Sequence, residues 1–196
     1  MARMLLNRKG PVDNGRRWHQ GLRRVCALPS ALVCLGLLCF ASAVRAAELP
    51  EYRLKAAFLY NFAQYTEWPA EVGSALNLCI HGQDPFGSDI DELNGKAAGA
   101  RVIAVQRKAA GASLGGCQIV FIAASVLPNL PRVLDGLRGQ AVLTVADSPG
   151  AGRQGVMINM AVAQEKITFE ADLRAARAAR LDLSSKLLRL ATEVHR

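Results

Sequence analysis

Histidine is the scarcest chemistry-bearing residue in this chain. His19, His81 and His195 are the three in 196 residues, and only His81 and His195 lie beyond the leader argued below. A serine nucleophile needs a sharp elbow, and no Gly-x-Ser-x-Gly run is present. Cys79, His81 and Asp84 lie close in sequence. However, Cys79 and His81 share one face of a strand without a third partner in evidence, and structural zinc wants four ligands, so no metal site is expected. Gly150-Ala-Gly-Arg-Gln-Gly155 fits G-x-G-x-x-G literally, yet the residues after it read as a strand. No helix N-terminus is then available for a pyrophosphate. Glu170 and Asp172 could act as paired carboxylates, but Asp172 reads as a helix cap, which needs no catalysis. The residues point to no enzyme and no cofactor.

A basic surface is also missing, despite a formal net charge of +8. Eight of the Lys/Arg (Arg3, Arg8, Lys9, Arg16, Arg17, Arg23, Arg24 and Arg45) and one acid, Asp13, fall in residues 1–46. Without them, sixteen bases face fifteen acids, and no basic cluster with interleaved aromatics remains. A nucleic-acid role loses its main support. Seven of the leader bases precede the apolar run 25–44, and Val44-Arg45-Ala46 offers a small-residue cleavage site. Residues 1–46 therefore read as a secretory signal cleaved near Ala46, with residues 47–196 as the mature domain. The rival is an uncleaved anchor, since the run is about long enough to span a bilayer; Pro29 and the cleavage site favour removal. Lipidation at Cys34 or Cys39 is disfavoured by Val33 and Leu38, and the Arg16-Arg17 pair lacks the surroundings of a twin-arginine signal.

Cysteine is sparse once the leader leaves with Cys26, Cys34 and Cys39. Only Cys79 and Cys117 remain, an even number in a chain bound for an oxidising compartment, which predicts a disulfide rather than two separate buried thiols. In the chain-entropy model a loop of that length contributes about 4 kcal/mol.

What is present reads as one α/β domain of roughly 150 residues, enough for a proper core. Residues 51–69 (EYRLKAAFLYNFAQYTEWP) predict a helix stopped by Pro69. Its main apolar stripe is Leu54, Ala57, Phe58, Phe62 and Tyr65; Tyr52, Ala56, Leu59, Tyr60 and Ala63 form a softer one. Strands are expected at 75–81, 101–106, 118–123 and 140–145, and helices at 86–93, capped by Asp84, and at 128–137. A turn-rich stretch at 147–155 leads into an antiparallel hairpin of 156–161 with 166–170. Asp172 and Ser184 open two final helices. The alternation describes a mixed, mostly parallel sheet flanked by helices, with a C-terminal antiparallel hairpin.

Several segments together resemble the YfiR-like family of exported bacterial proteins. They are Leu54-Lys-Ala-Ala-Phe-Leu-Tyr-Asn-Phe-Ala-Gln-Tyr-Thr-Glu-Trp-Pro69; Leu78-Cys79-Ile80 with Asp84-Pro85-Phe86-Gly87; Cys117-Gln-Ile-Val-Phe-Ile122; Leu143-Thr-Val-Ala-Asp147; Gly155-Val-Met-Ile-Asn159; Phe169-Glu170; and Leu181 to Leu188 with Leu190-Ala191. The resemblance covers nearly all of residues 47–196. It implies a periplasmic α/β regulator that represses an inner-membrane diguanylate cyclase by binding its periplasmic region, and that an outer-membrane lipoprotein sequesters. It also implies a Cys79–Cys117 disulfide. Some relatives carry a second cysteine pair near the turn before the hairpin; none stands here, so the 147–155 loop is expected to be less constrained.

Three functions follow as expectations. A partner-binding repressor would use the hairpin and C-terminal helices, with Met157, Ile158 and Glu170 as contacts; ordinary strand packing is the competing account of each residue. A small-molecule sensor module for another membrane signalling protein would use Tyr60 and Tyr65 to line a cleft. An enzyme is disfavoured. A homodimer is compatible with the sequence but not read from it.

Overall fold

The computed structural model describes residues 48–196, so the expected leader, its cleavage point and its cysteines lie outside the described residues. Helix α1 (Glu48–Tyr65) buries Ala56, Leu59, Phe62 and Ala63, the i, i+3, i+4 set of a single face. The expected weighting of its stripes is reversed: Leu54 is 51% exposed and Ala57 is exposed, because Ala56, Leu59 and Ala63 point at the sheet. Phe62 meets Phe169 edge-on with ring centroids 5.1 Å apart, and Phe58 does so at 6.0 Å. The helix ends before Pro69 because Thr66–Glu67 (β1) pairs antiparallel with Asp182–Leu183 (β9).

Strands β2 (Ala75–His81), β3 (Ala97–Ala98), β4 (Arg101–Lys108), β5 (Ile119–Ile122), β6 (Leu143–Ala146), β7 (Ile158–Ala163), β8 (Lys166–Asp172) and β10 (Glu193–His195) make one eight-stranded sheet. Their order is β10-β8-β7-β6-β5-β2-β4-β3. The sheet is mostly parallel, as the sequence predicts; the β7–β8 hairpin and the short β3–β4 pair are antiparallel. Both faces are covered, so the central strands are apolar throughout. Leu76, Leu78, Ile80, Ile119, Phe121, Leu143 and Val145 join the α1 side of the core. The intervening Cys79, Val120, Ile122 and Ala146 pack with Leu130 and Leu137 of helix α2 (Leu130–Leu137).

The helix expected over 86–93 is instead two 3-10 turns, Gly87–Asp89 and Asp91–Leu93. Gly87 has φ +56°, a left-handed conformation that interrupts an α-helix. Arg107 then fixes the turn, donating to Asp84 Oδ2 (2.7 Å), Asp91 Oδ1 (2.7 Å) and the Gly87 carbonyl (2.8 Å). Asp84 Oδ1 accepts from the Phe86 backbone N–H rather than capping a helix. At the C-terminal end, Asp172 Oδ1 accepts from the N–H groups of Arg174 and Ala175 to cap α3 (Leu173–Ala178). Ser184 caps α4 (Ser185–Leu188) through the Leu187 N–H. Cys79 and Cys117 are joined, with Cα atoms 5.9 Å apart, and both are buried.

Candidate functional site

The hairpin carries the three residues expected to contact a partner, and burial separates them. Ile158 has no exposed surface and Met157 is 9% exposed; both belong to the core. The Met157 N–H donates to Thr144 Oγ1 at 3.0 Å, and its carbonyl accepts from Asp172 N–H at 2.8 Å. Both side chains thus belong to the core, while the Met157 backbone ties this segment to Thr144 of β6 and Asp172 of β8. The apolar groups that do face outward lie farther along: residues 161–163 are exposed, with Val162 at 52%.

Glu170 differs from the other two. It is half-buried on β8, and its Oε1 accepts from Asn159 Nδ2 at 3.1 Å. A Cβ on Gly152 would collide with this carboxylate, so the small residue leaves the room it occupies. His195 Nε2 lies 3.6 Å from Glu170 Oε2, and His195 Nδ1 lies 3.6 Å from Glu193 Oε1. Strand β10 brings His195 beside Glu170 by pairing in parallel with β8. Glu170, Glu193 and His195 each offer a ligand atom within 4.8 Å of the others, the geometry in which a cation could be held. Simple contact of the imidazole with the two carboxylates accounts for the same arrangement without a cation. Cys79, His81 and Asp84 are not brought together as ligands: Cys79 is in the disulfide and Asp84 is held by Arg107.

A second polar cluster was not foreseen. Lys55 on α1 is 3% exposed and donates to Asp147 Oδ2 at 2.7 Å, just past the end of β6. It also pairs with Glu51 and sits 4.5 Å from the Tyr52 ring centroid. Burial pulls the Lys55 pKa down, but the hydrogen bonds to Asp147 and Glu51 outweigh it, so the ammonium stays charged above its ordinary range. Burial, followed by the Asp147 charge, pushes the Tyr52 hydroxyl up, so it stays protonated. Tyr52, Gln83, Asp84, Ser125 and Asp147 line a small crevice of about 200 Å³ above this cluster.

Tyr60 and Tyr65 do not share a cleft. Tyr60 lines a groove of about 390 Å³ with Leu54 and Lys96, and its hydroxyl donates to the Ala97 carbonyl at 3.0 Å. Tyr65 packs against the core beside β9. Five residues apart on a helix of 3.6 per turn, the two rings point in different directions. Among the described residues no helix is long and apolar enough to cross a membrane.

Comparison with known proteins gives one weak structural alignment and a family. A Vibrio cholerae crystal structure, described as a conserved domain protein, aligns with a TM-score of 0.48 at 6% identity. The alignment covers 74% of this chain and 60% of that one, so this chain spans less than two thirds of that protein's length. The model of the YfiR/HmsC-like family matches residues 52–192, from the first turns of α1 to the segment leading into β10. The chain belongs to the YfiR/HmsC-like family.

Proposed function

We propose that this protein is an exported regulator. Residues 1–46 direct it across the inner membrane and are cleaved near Ala46. The α/β domain then binds the periplasmic region of an inner-membrane diguanylate cyclase and represses it, which lowers cyclic di-GMP and biofilm formation. The observation that carries this reading is family membership across residues 52–192. The Cys79–Cys117 disulfide suits an oxidising compartment. A non-catalytic role agrees with how the described histidines are used: His81 is buried and His195 is held between two carboxylates.

The docking face on this reading is the outer part of the β7–β8 hairpin with the adjoining C-terminal strand. Val162 supplies exposed apolar area, Glu170 a carboxylate that orients the partner, and Met157 and Ile158 hold the hairpin against the core. An outer-membrane lipoprotein that competes for this face would relieve the repression. A photoreactive residue placed at Val162 tests the idea in intact cells. Crosslinking there should capture a membrane diguanylate cyclase, identified by mass spectrometry; adducts that never include one would count against the reading.

A further inference from the structure

The register of the last three strands gathers groups that lie far apart in sequence. Asn159 on β7 stands opposite Glu170 on β8, and Glu170 stands opposite Glu193 on β10. Alternation along β10 puts His195 on the same face as Glu193, two residues further on. Like charges directly across a strand pair repel, and no Lys or Arg pairs with either carboxylate among the described residues. Asp172, opposite His195, is committed to capping α3.

Glu170, Glu193 and His195 are gathered without being hydrogen-bonded to one another. His195 Nε2 lies 3.6 Å from Glu170 Oε2, and Nδ1 lies 3.6 Å from Glu193 Oε1, both beyond hydrogen-bond range. A neutral imidazole has one N–H and could serve one carboxylate at most. The spacing does suit a shared metal ion: bonds of about 2.1 Å at tetrahedral angles put neighbouring ligand atoms about 3.4 Å apart. One atom from each residue lies within 4.8 Å of the others, and the Glu193 side chain, 64% exposed, has the freedom to close the remainder.

Glu170 is held in place at a local cost. Asn159, 7% exposed, aims its carboxamide at this carboxylate: Nδ2 donates to Oε1 at 3.1 Å, and Oδ1 is left without a partner. Buried polar atoms are nearly always satisfied, and departures from such rules concentrate at functional sites. The donation fixes Oε1 and leaves Oε2 turned to His195, as outer groups orient a metal-binding carboxylate.

We propose that Glu170, Glu193 and His195 bind a divalent transition-metal ion, with zinc the best fit, and that the ion ties β10 to β8. Asn159 is the positioning residue for Glu170. The imidazole disfavours calcium and magnesium, which take oxygen ligands, and three protein ligands leave the fourth tetrahedral position to water. The site lies within the proposed docking face, but ion binding stands whether or not the protein represses a cyclase.

The probe is zinc chloride, titrated into the purified, tag-free protein and followed by calorimetry and by NMR of the histidine rings. The expected result is saturable one-to-one binding that shifts the His195 signal and leaves buried His81 unmoved. Glu193→Gln and His195→Ala, changes on partly exposed side chains at the sheet edge, should each weaken binding by about tenfold or more. Zinc should raise the thermal unfolding midpoint of the wild type and not that of His195→Ala, as an ion bound only by the folded state does. Absence of saturable binding at millimolar zinc, or a smaller loss of affinity in either variant, would overturn the proposal.

Discussion

Lys55 Nζ donates to Asp147 Oδ2 at 2.7 Å, tying the first helix to the end of β6 across 92 residues of sequence. Both side chains are almost fully buried, so each charge depends on the other. Removing one partner of a buried pair is strongly destabilising, because the remaining charge is left without water or a counter-ion. Lys55→Met should therefore cost about 3–5 kcal/mol in denaturant unfolding. The double variant Lys55→Met with Asp147→Leu should recover much of that loss. A double variant as unstable as the sum of the two single ones would show that the pair is not coupled.

The same pair predicts alkaline behaviour. The folded-state Lys55 pKa is raised, so its contribution to stability is complete below the ordinary lysine value and is lost as pH rises through the folded one. Wild-type stability should fall at high pH more steeply than that of the double variant, as read by unfolding midpoints across an alkaline series.

At His81 the sign is opposite. Burial lowers its folded pKa below 6.5, so the unfolded chain takes up the proton first. The contribution is complete above the ordinary histidine value and is lost as pH falls through it. His81→Phe should flatten the decline in stability on mild acidification, measured by thermal unfolding. An unchanged slope would mean that the ring titrates as freely when folded as when unfolded.

The strand pattern was the most legible feature of the sequence. Alternation of Leu78 and Ile80 with Cys79 and His81 placed the two faces of β2 correctly, and Asp172 and Ser184 read as caps because short polar side chains satisfy free N–H groups. Lys55 was hidden because its partner Asp147 is remote in sequence, and an isolated lysine among apolar residues normally points to solvent. The DPFG turn read as a helix because Arg107, which fixes it, lies on β4. The approach of His195 to Glu170 was hidden because a three-residue strand has no periodicity to detect. For Met157 and Ile158 the sequence left contact and packing as competing accounts, because an apolar residue on or beside a strand carries no label for which side is covered.

The cross-link between Cys79 and Cys117 closes a sequence separation of 38 residues. Cys79→Ser should lower stability by about 2–5 kcal/mol, and reduction of the wild type should reproduce the loss. It should also reduce periplasmic abundance. A variant that stays stable and abundant yet fails to repress would assign the bond a regulatory role instead.

Glu170 and Ile158 separate contact from packing. Ile158→Ala empties a fully buried site and should destabilise the domain by about 2–5 kcal/mol. Glu170→Gln should leave the unfolding midpoint nearly unchanged while weakening repression. Equal losses of stability in both variants would remove Glu170 from the docking face.

Cellular cyclic di-GMP, measured with and without this gene, tests the regulatory reading most directly. The account predicts a rise on deletion that is reversed by the full-length protein but not by a version lacking residues 1–46. Unchanged cyclic di-GMP on deletion, or full rescue by the leaderless protein, would contradict it.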